Sequence, residues 1–399
     1  MIRKIKNFWH LLQAIFANIV YRFPSRQLIV IGVTGTDGKT TTVHLIHHIL
    51  VKAGKKADLI STISAPGLHT TTPDSMMLQK MLRKMVNKRM EYVVLESSSH
   101  GLDQNRLWGV RYETGVVTNI THDHLDYHKT INNYRAAKAK LFRGVKIAVL
   151  NRDDQSYEYL VSSIKYKVSR IITYGIKNPA DFTPTNFSFK TGLPGDYNQY
   201  NCLAAIAAVK SLGIADGQIR RAISSFKGVI GRMEEIKEDQ NFRVIIDFAK
   251  TASGLESVLK TLNSQLVIRN QKTGRLIVVF GSAGLRDVAK RVMMGEVGAK
   301  LADISILTAE DPRTEDVNKI IEQIAQGCVR GGGIEKKSFF RISDRRKAIK
   351  FAINLAKKGD IVVLCGKGHE RSMCYGNKES PWNEHTEVRR VLIKLKKHA

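Results

Sequence analysis

A glycine-rich turn near the start of the chain holds residues suited to binding phosphate. It lies within Ile29–Thr42, where an apolar run is followed by TGTDGKTTT, and Gly38, Lys39 and Thr40 close the turn. In such a turn the backbone N–H groups face the anion, a lysine neutralises charge and a threonine hydroxyl can ligate Mg²⁺. Val33 stands where the common pattern has a glycine, five positions before Gly38, so the turn is a short version of that pattern. The sequence therefore predicts a nucleotide site.

Two further groups of polar residues follow strand-like runs. Glu96 comes directly after the apolar run 91–95, and an acid in that position shares Mg²⁺ with the loop threonine of a phosphate-binding protein. The segment 121–128, THDHLDYH, holds three histidines and two aspartates. This density is compatible with a zinc site, with phosphate contact or with a polar loop. Lys138 and Lys140 follow in a helical stretch, where composition alone assigns them to a solvated face.

Composition narrows the class of protein. A chain of 399 residues fits two domains or three, and 43% hydrophobic and 25% charged residues are ordinary for a globular protein. The net charge of +28 is compatible with nucleic acid, an anionic membrane or anionic substrates. Because the basic residues are spread along the whole chain without a nucleic-acid-binding motif, we expect a lysine-rich surface and no nucleic-acid partner. The four cysteines lack metal-ligand spacing, which indicates free thiols in a reducing, cytoplasmic setting.

The positions of apolar residues predict two α/β domains after an N-terminal helix. Up to about residue 228, strands are predicted at 28–33, 91–95, 115–120 and 147–150, and helices at 74–88, 131–143 and 201–212. From 229 onward, strands are predicted at 243–247, 276–280, 304–308 and 361–365, and helices at 254–263, 288–301, 315–328, 343–357 and 384–397. The predicted fold class is α/β, with a mostly parallel sheet in 29–228 and a Rossmann-like, doubly wound domain in 229–399.

Residues 1–28 form a basic amphipathic segment. Apolar residues recur at helical spacing: Ile5, Phe8, Trp9, Leu12, Ile15, Phe16, Ile19, Val20 and Phe23. The stretch is short for a bilayer span and has no small-residue cleavage site, so we expect neither a transmembrane helix nor a signal peptide. Two interpretations stay open: a helix docked on the body of the protein, or one lying in a membrane interface. Pro24 is predicted to end the helix.

Ordered motifs along the chain resemble the Mur ligases. The central ATPase domain of that family is similar to TGTDGKTTT, LESSSHGLDQNR (95–106), THDHLDYH (121–128) and YRAAKAKLF (134–142). Its C-terminal domain is similar to GRMEEI (231–236), IIDFAK (245–250), FGSAGLRDVAKR (280–291), EDPR (310–313) and GKGHE (366–370). The resemblance covers about Val30 to Val388. It favours the MurE type, the UDP-N-acetylmuramoyl-tripeptide synthetases, because SSHGL, DPR and GKGHE belong to that branch.

The resemblance implies roles for individual residues. The implied catalytic residues are Lys39, Glu96, His124 and Lys138, and Mg²⁺ would be held by Thr40, Glu96, His124 and Lys138 as a carbamate. ATP would be bound by Gly35, Thr36, Asp37, Gly38, Lys39, Thr40, Thr41, Asn201, Arg232, Asp247 and Lys250. A muramoyl-peptide acceptor would be held by Thr71, Thr72, Ser98 and Arg106, and the incoming amino acid by Asp311, Arg313, Gly366 and Glu370. The implied reaction adds an amino acid, diaminopimelate or lysine, through an acyl phosphate.

The chain departs from the family pattern in three places. The UDP-gripping N-terminal domain of the family is not expected in residues 1–28, so the amphipathic helix is expected instead to bring the enzyme to a membrane and a lipid-linked acceptor. Lys250 and Ala252 replace a DYAH-type sequence, and EDPR replaces DNPR. Rival hypotheses are a related ligase with another acceptor, a catalytically weakened scaffold protein and a basic nucleic-acid-binding ATPase.

Overall fold

The computed structural model describes residues 2–64, 71–268 and 271–398. By its internal contacts the chain divides into two units. The first comprises Met1–Thr121 and His128–Lys227, and the second comprises His122–Tyr127 and Gly228–Ala399. The short segment 122–127 therefore belongs with the second unit, although both of its flanks belong to the first.

The first unit is built on a six-stranded parallel sheet. Its strands are β1 (Ile29–Thr34), β2 (Ala57–Ile60), β3 (Tyr92–Glu96), β4 (Tyr112–Val117), β5 (Ile147–Asn151) and β6 (Arg170–Tyr174). Their order in the sheet is β2-β3-β1-β4-β5-β6. All of β3 is buried, which explains its continuous apolar sequence, since a parallel strand is covered by helices on both faces. The carboxyl ends of β1 and β3 therefore meet at one edge of this sheet.

Helices connect and cover these strands. In chain order, the helices before residue 228 are α1 (Ile2–Val20), α2 (Lys39–Lys52), α3 (Ser75–Asn87), α4 (Ser99–Asp103), α5 (Leu125–His128), α6 (Ile131–Ala139), α7 (Tyr157–Ile164), α8 (Asp196–Lys210) and α9 (Asp216–Ser225), with short 3-10 turns at Pro24–Gln27 and Lys140–Phe142. Most of α5 falls in the segment 122–127 of the second unit. The N-terminal helix docks on the first unit, which is one of the two interpretations left open above, because Asn7 Nδ2 donates to the Asp103 carbonyl at 3.1 Å. α8 begins five residues before the predicted 201, with Asp196 in its first turn.

The second unit contains a mixed sheet between two layers of helices. The strands of this unit are β7 (Glu234–Ile236), β8 (Arg243–Asp247), β9 (Val267–Ile268), β10 (Gln271–Lys272), β11 (Leu276–Phe280), β12 (Ile304–Leu307), β13 (Phe339–Arg341), β14 (Ile361–Cys365), β15 (Ser372–Tyr375) and β16 (Lys378–Pro381). β9 pairs with β10 and β15 with β16 in separate two-stranded sheets. The helices are α10 (Ala252–Leu266), α11 (Ala289–Leu301), α12 (Val317–Arg330), α13 (Arg345–Leu355) and α14 (Glu384–His398). The sheet order is β13-β12-β11-β14-β8-β7, in which only the edge strand β7 runs antiparallel.

The two faces of this sheet carry separate apolar cores. Leu259 of α10 and Ile324 of α12 pack on one face, whereas Ile349 of α13 and Val388 of α14 pack on the other. Helices on both faces of a mainly parallel sheet make the doubly wound architecture that the sequence predicts. The strands predicted at 243–247, 276–280 and 361–365 occur at those bounds, and the strand predicted at 304–308 ends one residue earlier.

A fully buried ion pair between Arg345 and Glu384 links the first residues of α13 and α14. The Arg345 guanidinium is 1% exposed, and its Nη2 lies 2.6 Å from Oε1 of Glu384, which is 0% exposed. The guanidinium also donates to the carbonyl oxygen of Cys365, and the indole of Trp382 donates to Glu384. The pair is thus surrounded by further hydrogen bonds, which such a pair needs in order to offset its desolvation.

Removing one partner of this pair should strongly destabilise the second unit. We expect Arg345→Met to lower the free energy of unfolding by about 3–5 kcal/mol, because it leaves the Glu384 carboxylate buried without its cation. Urea unfolding followed by circular dichroism measures the change. The matched control is Arg346→Met, since the neighbouring Arg346 side chain is 56% exposed in its pair with Glu387. Equal effects of the two substitutions would contradict the assignment.

Candidate active site

The turn between β1 and α2 is packed so closely that two of its positions exclude a side chain. Gly35 has φ +152°, and a Cβ there would lie 1.8 Å from Oγ1 of Thr118. Gly38 has φ +79°, and a Cβ there would lie 2.3 Å from Oδ1 of Asn201. The backbone is therefore held by its neighbours in the form that lets amide groups face an anion at the start of α2.

A threonine and a carboxylate converge where the turn meets β3. The Thr40 hydroxyl lies 3.1 Å from both carboxylate oxygens of Glu96. Glu96 is 1% exposed, and it also accepts hydrogen bonds from the backbone N–H and the hydroxyl of Thr62. A hydroxyl and a carboxylate beside a phosphate-binding turn are the oxygen ligands that Mg²⁺ prefers. These residues fit Mg²⁺ bound together with nucleotide phosphates.

Two lysines point at the same carbonyl of the turn. Lys39 Nζ donates to the carbonyl oxygen of Gly35 at 3.0 Å and to that of Thr36 at 2.8 Å. Lys138 Nζ, from α6, donates to the same Gly35 oxygen at 2.6 Å and lies 4.4 Å from the centre of the Tyr134 ring. Lys138 is only 1% exposed, so the solvated face suggested by composition is wrong for this lysine. Its carbamylation stays a prediction.

Hydrogen bonds hold the other residues of the turn. The backbone N–H of Asp37 donates to the side chain of Asn119 at 3.0 Å, and the hydroxyl of Thr36 lies 3.2 Å from that of Tyr134. Thr41 is buried in the first turn of α2. Asn201, on α8, accepts from the hydroxyl of Thr42 at 3.4 Å and donates to Asn198. In this arrangement Asn201 supports the turn, and its contact with adenine stays a prediction.

Three of the predicted acceptor residues form one connected group beside Glu96. The hydroxyl of Thr72 lies 2.9 Å from that of Ser98, and it donates to the carbonyl oxygen of Glu96 at 3.1 Å. Arg106 Nη1 donates to the carbonyl of Thr72 at 2.9 Å, while its other nitrogens face Gln104. Thr71, the fourth predicted residue, is half-buried and directly precedes Thr72. The group lies at the carboxyl end of β3, where ligands of parallel sheets bind.

The THDHLDYH segment does not stay together as one cluster. His122 Nε2 lies 3.1 Å from Asp287, and His124 Nε2 lies 3.3 Å from Asp123, all within the second unit. His128 instead packs in the first unit, with Nε2 3.1 Å from the hydroxyl of Ser99. Across the described part of the chain, no group of three or more histidine, cysteine, aspartate or glutamate side chains could hold a metal ion. The zinc interpretation is therefore not supported.

A chain of alternating charges occupies the second unit near GKGHE. Lys367, which is 0% exposed at its side chain, lies 2.9 Å from Asp311 and 2.6 Å from Glu370. Lys250 lies 3.1 Å from the other oxygen of Glu370. Burial raises the pKa of Glu370, but Lys250 and Lys367 overcome that effect and lower it to about 2. Lys367 thus brings together Asp311 and Glu370, which are both predicted to bind the amino acid. Lys367 itself was not among the predicted site residues.

The ring of Phe248 is in contact with two of the residues that are predicted to bind the nucleotide. Arg232 and Lys250 both lie over the ring of Phe248, at 4.2 and 3.7 Å from its centre. His369 packs against the same ring at 4.7 Å between centroids, and burial together with Arg232 lowers its pKa to about 3. Asp247 accepts from the backbone N–H of Met233 at 2.8 Å. Two cations fixed on one ring are suited to contact with an anionic ligand.

A second pair of cations lies at the EDPR loop. Arg313 has φ +54° and donates from Nη1 to the carbonyl of Gly284 at 3.0 Å. Arg286 follows Gly284 by two residues, and burial and the charge of Arg313 lower its pKa. Arg286 lies within FGSAGLRDVAKR, so its motif was visible in the sequence but its role was missed. Paired guanidinium groups are suited to bind a carboxylate.

A buried glutamate of the same loop was also missed. Glu310 is 1% exposed, and burial raises its pKa to about 7 although Lys250 and Lys290 act in the opposite direction. Gly366 has φ +106°, and a Cβ there would lie 2.5 Å from Oε2 of Glu310. The glycine at this predicted position therefore makes room for the glutamate.

Comparisons with known proteins identify the family of the chain. The family model described as Mur ligase middle domain matches residues 33–209, and the one described as Mur ligase, glutamate ligase domain matches residues 231–368. A UDP-N-acetylmuramoyl-L-alanyl-D-glutamate–2,6-diaminopimelate ligase of Clostridium acetobutylicum is 37% identical over 94% of this chain and 80% of its own length. The chain belongs to the Mur ligase family. The resemblance in the sequence and the predicted fold class are thereby confirmed.

Other relatives of this Mur ligase carry the same type of name. A 2,6-diaminopimelate ligase of Aquifex aeolicus is 40% identical over 92% of the chain and 78% of its own length. The solved structure of a UDP-N-acetylmuramoyl-L-alanyl-D-glutamate–2,6-diaminopimelate ligase matches with a TM-score of 0.59 and 33% identity, over 92% of this chain and 79% of that one. The predicted site residues, apart from Glu370, lie within residues 33–209 and 231–368 that the family models match.

The stability of this Mur ligase should depend on pH through Glu310. Its pKa is about 7 in the folded protein, against an ordinary value of 4.5, so the folded state holds the proton more tightly and stability falls as pH rises from 4.5 to 7. We expect Glu310→Gln to remove this loss. The free energy of unfolding of the variant minus that of the wild type should rise by about 3 kcal/mol between pH 4.5 and 8.

Denaturant titrations at several pH values measure this difference. The control is Glu256→Gln, since Glu256 is 44% exposed on α10 of the same unit. A difference between Glu310→Gln and wild type that stays constant with pH would overturn the assignment of the raised pKa.

Proposed function

We propose that this Mur ligase joins 2,6-diaminopimelate to a UDP-N-acetylmuramoyl-L-alanyl-D-glutamate-type acceptor, at the cost of ATP converted to ADP and phosphate. The names of its relatives at 37–40% identity support the acceptor and the amino acid. The main structural support is the buried Thr40–Glu96 pair, which lies beside the two lysines of the turn and is joined through Thr72 to the predicted acceptor group.

The first step activates a carboxylate of the acceptor. That carboxylate attacks the γ-phosphorus of ATP, the bond to the β-phosphate oxygen breaks, and an acyl phosphate and ADP result. Lys39 and the amide groups of the turn stabilise the negative charge on the transferring phosphoryl group. Bound Mg²⁺, held by Thr40 and Glu96, would neutralise phosphate charge. No serine or cysteine nucleophile is required, because the nucleophile belongs to the substrate.

The acceptor is oriented by the group at the end of β3. Ser98 and Thr72 offer hydroxyl groups, and Arg106 offers a cation beside them. These groups suit the carboxylates and amides of a muramoyl dipeptide. Because Thr72 also bonds to the backbone of Glu96, the acceptor and the metal ligand share one rigid support.

The second step forms the amide bond. The amino group of the incoming residue attacks the acyl carbon, phosphate leaves, and a proton is released from the nitrogen. Arg313 and Arg286 are suited to pair with the distal carboxylate of diaminopimelate, a group that lysine lacks. Asp311 is balanced by Lys367 at 2.9 Å, so its negative charge does not oppose a carboxylate held by the arginines.

The proposed place of the reaction is the cytoplasm, at the inner face of the membrane. All four cysteines are free and buried, which agrees with a reducing compartment. No helix among residues 2–64, 71–268 and 271–398 is long and apolar enough to cross a bilayer. The proposed contact with the membrane is made by the surface of α1.

ADP release tests the proposed reaction directly. The enzyme is assayed with UDP-linked and lipid-linked muramoyl dipeptides, each combined with diaminopimelate or lysine. We expect ADP release only when ATP, acceptor and amino acid are all present, with diaminopimelate preferred. Glu96→Gln should lower kcat by about 100-fold while keeping the fold, because a carboxylate that supports phosphoryl transfer is lost.

Glu91→Gln is the matched control for this assay, because Glu91 is exposed five positions before Glu96. An intact wild-type protein without turnover on any acceptor would favour the scaffold hypothesis. ATP turnover stimulated by nucleic acid would favour the hypothesis of a basic nucleic-acid-binding ATPase. Either result would remove the proposed function.

The choice of amino acid should depend on Arg313. We expect Arg313→Met to raise KM for diaminopimelate by about 10–100-fold, because a charged hydrogen-bonded pair is lost, and to leave KM for lysine nearly unchanged. Arg371→Met, at an exposed arginine of the same unit, is the control. If KM rises equally for both amino acids, Arg313 does not read the distal carboxylate.

A further inference from the structure

Helix α1 turns its apolar face to solvent. The exposed fractions of its large apolar side chains are 62% for Ile5, 61% for Phe8, 60% for Trp9, 42% for Leu12, 60% for Phe16, 60% for Ile19 and 48% for Val20. At 100° per residue these positions fall on one continuous side of the helix. A contiguous apolar surface of this kind marks an interaction site.

The opposite face, which docks on the first unit, is made of small and polar residues. Ala14, Ala17 and Asn18 are fully buried. Asn18 donates to the carbonyl of Trp108 at 2.9 Å, and a Cβ on Gly109 would lie 2.6 Å from the Asn18 side chain. Near the other end of the helix, Asn7 donates to the carbonyl of Asp103. These side-chain hydrogen bonds fix which face points outward.

This orientation is the reverse of the usual one. A helix on a globular protein normally buries its apolar stripe and exposes its polar side. In α1 the docked face is specified by asparagines that fit the loop near Trp108 and Gly109, and the apolar stripe is left for something outside the described chain. The first sequence interpretation, docking, and the second, an interfacial helix, are therefore compatible with each other.

The charge around the apolar face is positive. No aspartate or glutamate occurs before Asp37, and Lys6, Arg22 and Arg26 are exposed on or just after the helix. Helix α3 packs beside α1 and exposes Lys80 and Lys84, which share one side of α3 by their spacing. Met76 and Met77, at the start of the same helix, are 36% and 44% exposed.

We propose that α1 lies in the interface of an anionic lipid bilayer, with its aromatic and aliphatic face among the acyl chains and its basic neighbours at the headgroups. Tryptophan and phenylalanine opposite a docked polar face, with lysine and arginine at the rim, match such a site. Anionic lipid satisfies both the apolar surface and the positive charge. A second copy of the chain satisfies only the first, since two positive rims repel each other. The inference does not depend on the ligase activity.

Vesicle sedimentation of the full-length protein tests this site. The vesicles contain phosphatidylcholine alone or with 30% phosphatidylglycerol. We expect the wild type to pellet with the anionic vesicles, and to pellet less at high salt, which screens the basic rim. The variant Phe8→Gln/Trp9→Gln/Phe16→Gln should have a partition coefficient for anionic vesicles about tenfold lower than that of the wild type, because three apolar side chains no longer enter the bilayer. These side chains are exposed, so the substitutions should leave the fold intact.

The control carries Val329→Gln and Ile334→Gln, which change apolar side chains that are 60% and 57% exposed in the second unit. It should pellet like the wild type. Wild-type protein that stays in the supernatant with anionic vesicles would overturn the proposal, as would a triple variant that still pellets fully. Self-association of the wild type that the triple variant loses, without vesicle binding, would assign the face to a second copy instead. ADP release without vesicles should be the same for all three proteins, which separates this test from that of the proposed function.

Discussion

The hydrogen bonds between Thr40 and Glu96 tie the beginning of α2 to the end of β3. They depend on the parallel pairing of β1 with β3, which places Val33 opposite Glu96. A slip of one residue in that register would turn Glu96 to the other face of the sheet. The position of the carboxylate beside the phosphate-binding turn is thus set by the central strand pair of the first unit, and the acceptor group follows from it through Thr72.

The sequence predicted the central strands better than the edge strands, although the strand predicted at 115–120 occurs at Tyr112–Val117. β3 is a continuous apolar run because both of its faces are covered, whereas β2 and β6 are only partly buried and lack such a run. The short β13, and the β15–β16 hairpin after GKGHE, were missed for the same reason. The pattern of apolar residues in the sequence reflects burial, so strands at the edge of a sheet, which are only partly buried, show a weak pattern.

The candidate site was predictable where a motif fixes the local backbone. Lys39, Thr40 and Glu96 lie together as their positions after two neighbouring strands indicate. Arg286 and Lys367 were not singled out, because their proximity to Arg313 and Asp311 arises from tertiary packing, which no spacing in the sequence reveals. The division of THDHLDYH between two units has the same cause. A density of histidines and aspartates in sequence does not require a cluster in space.

The way in which α1 is fastened has a thermal consequence. Hydrophobic contacts carry a large heat-capacity change and weaken on cooling, whereas exposure of polar groups changes the heat capacity in the opposite direction. The docked face of α1 holds asparagines and alanines, with hydrogen bonds from Asn7 and Asn18. Its attachment therefore depends less on apolar burial than that of an ordinary amphipathic helix, and it should weaken less on cooling. Contact of the outer face with an apolar surface should instead strengthen with warming, so the two sides of this one helix should differ in their response to temperature.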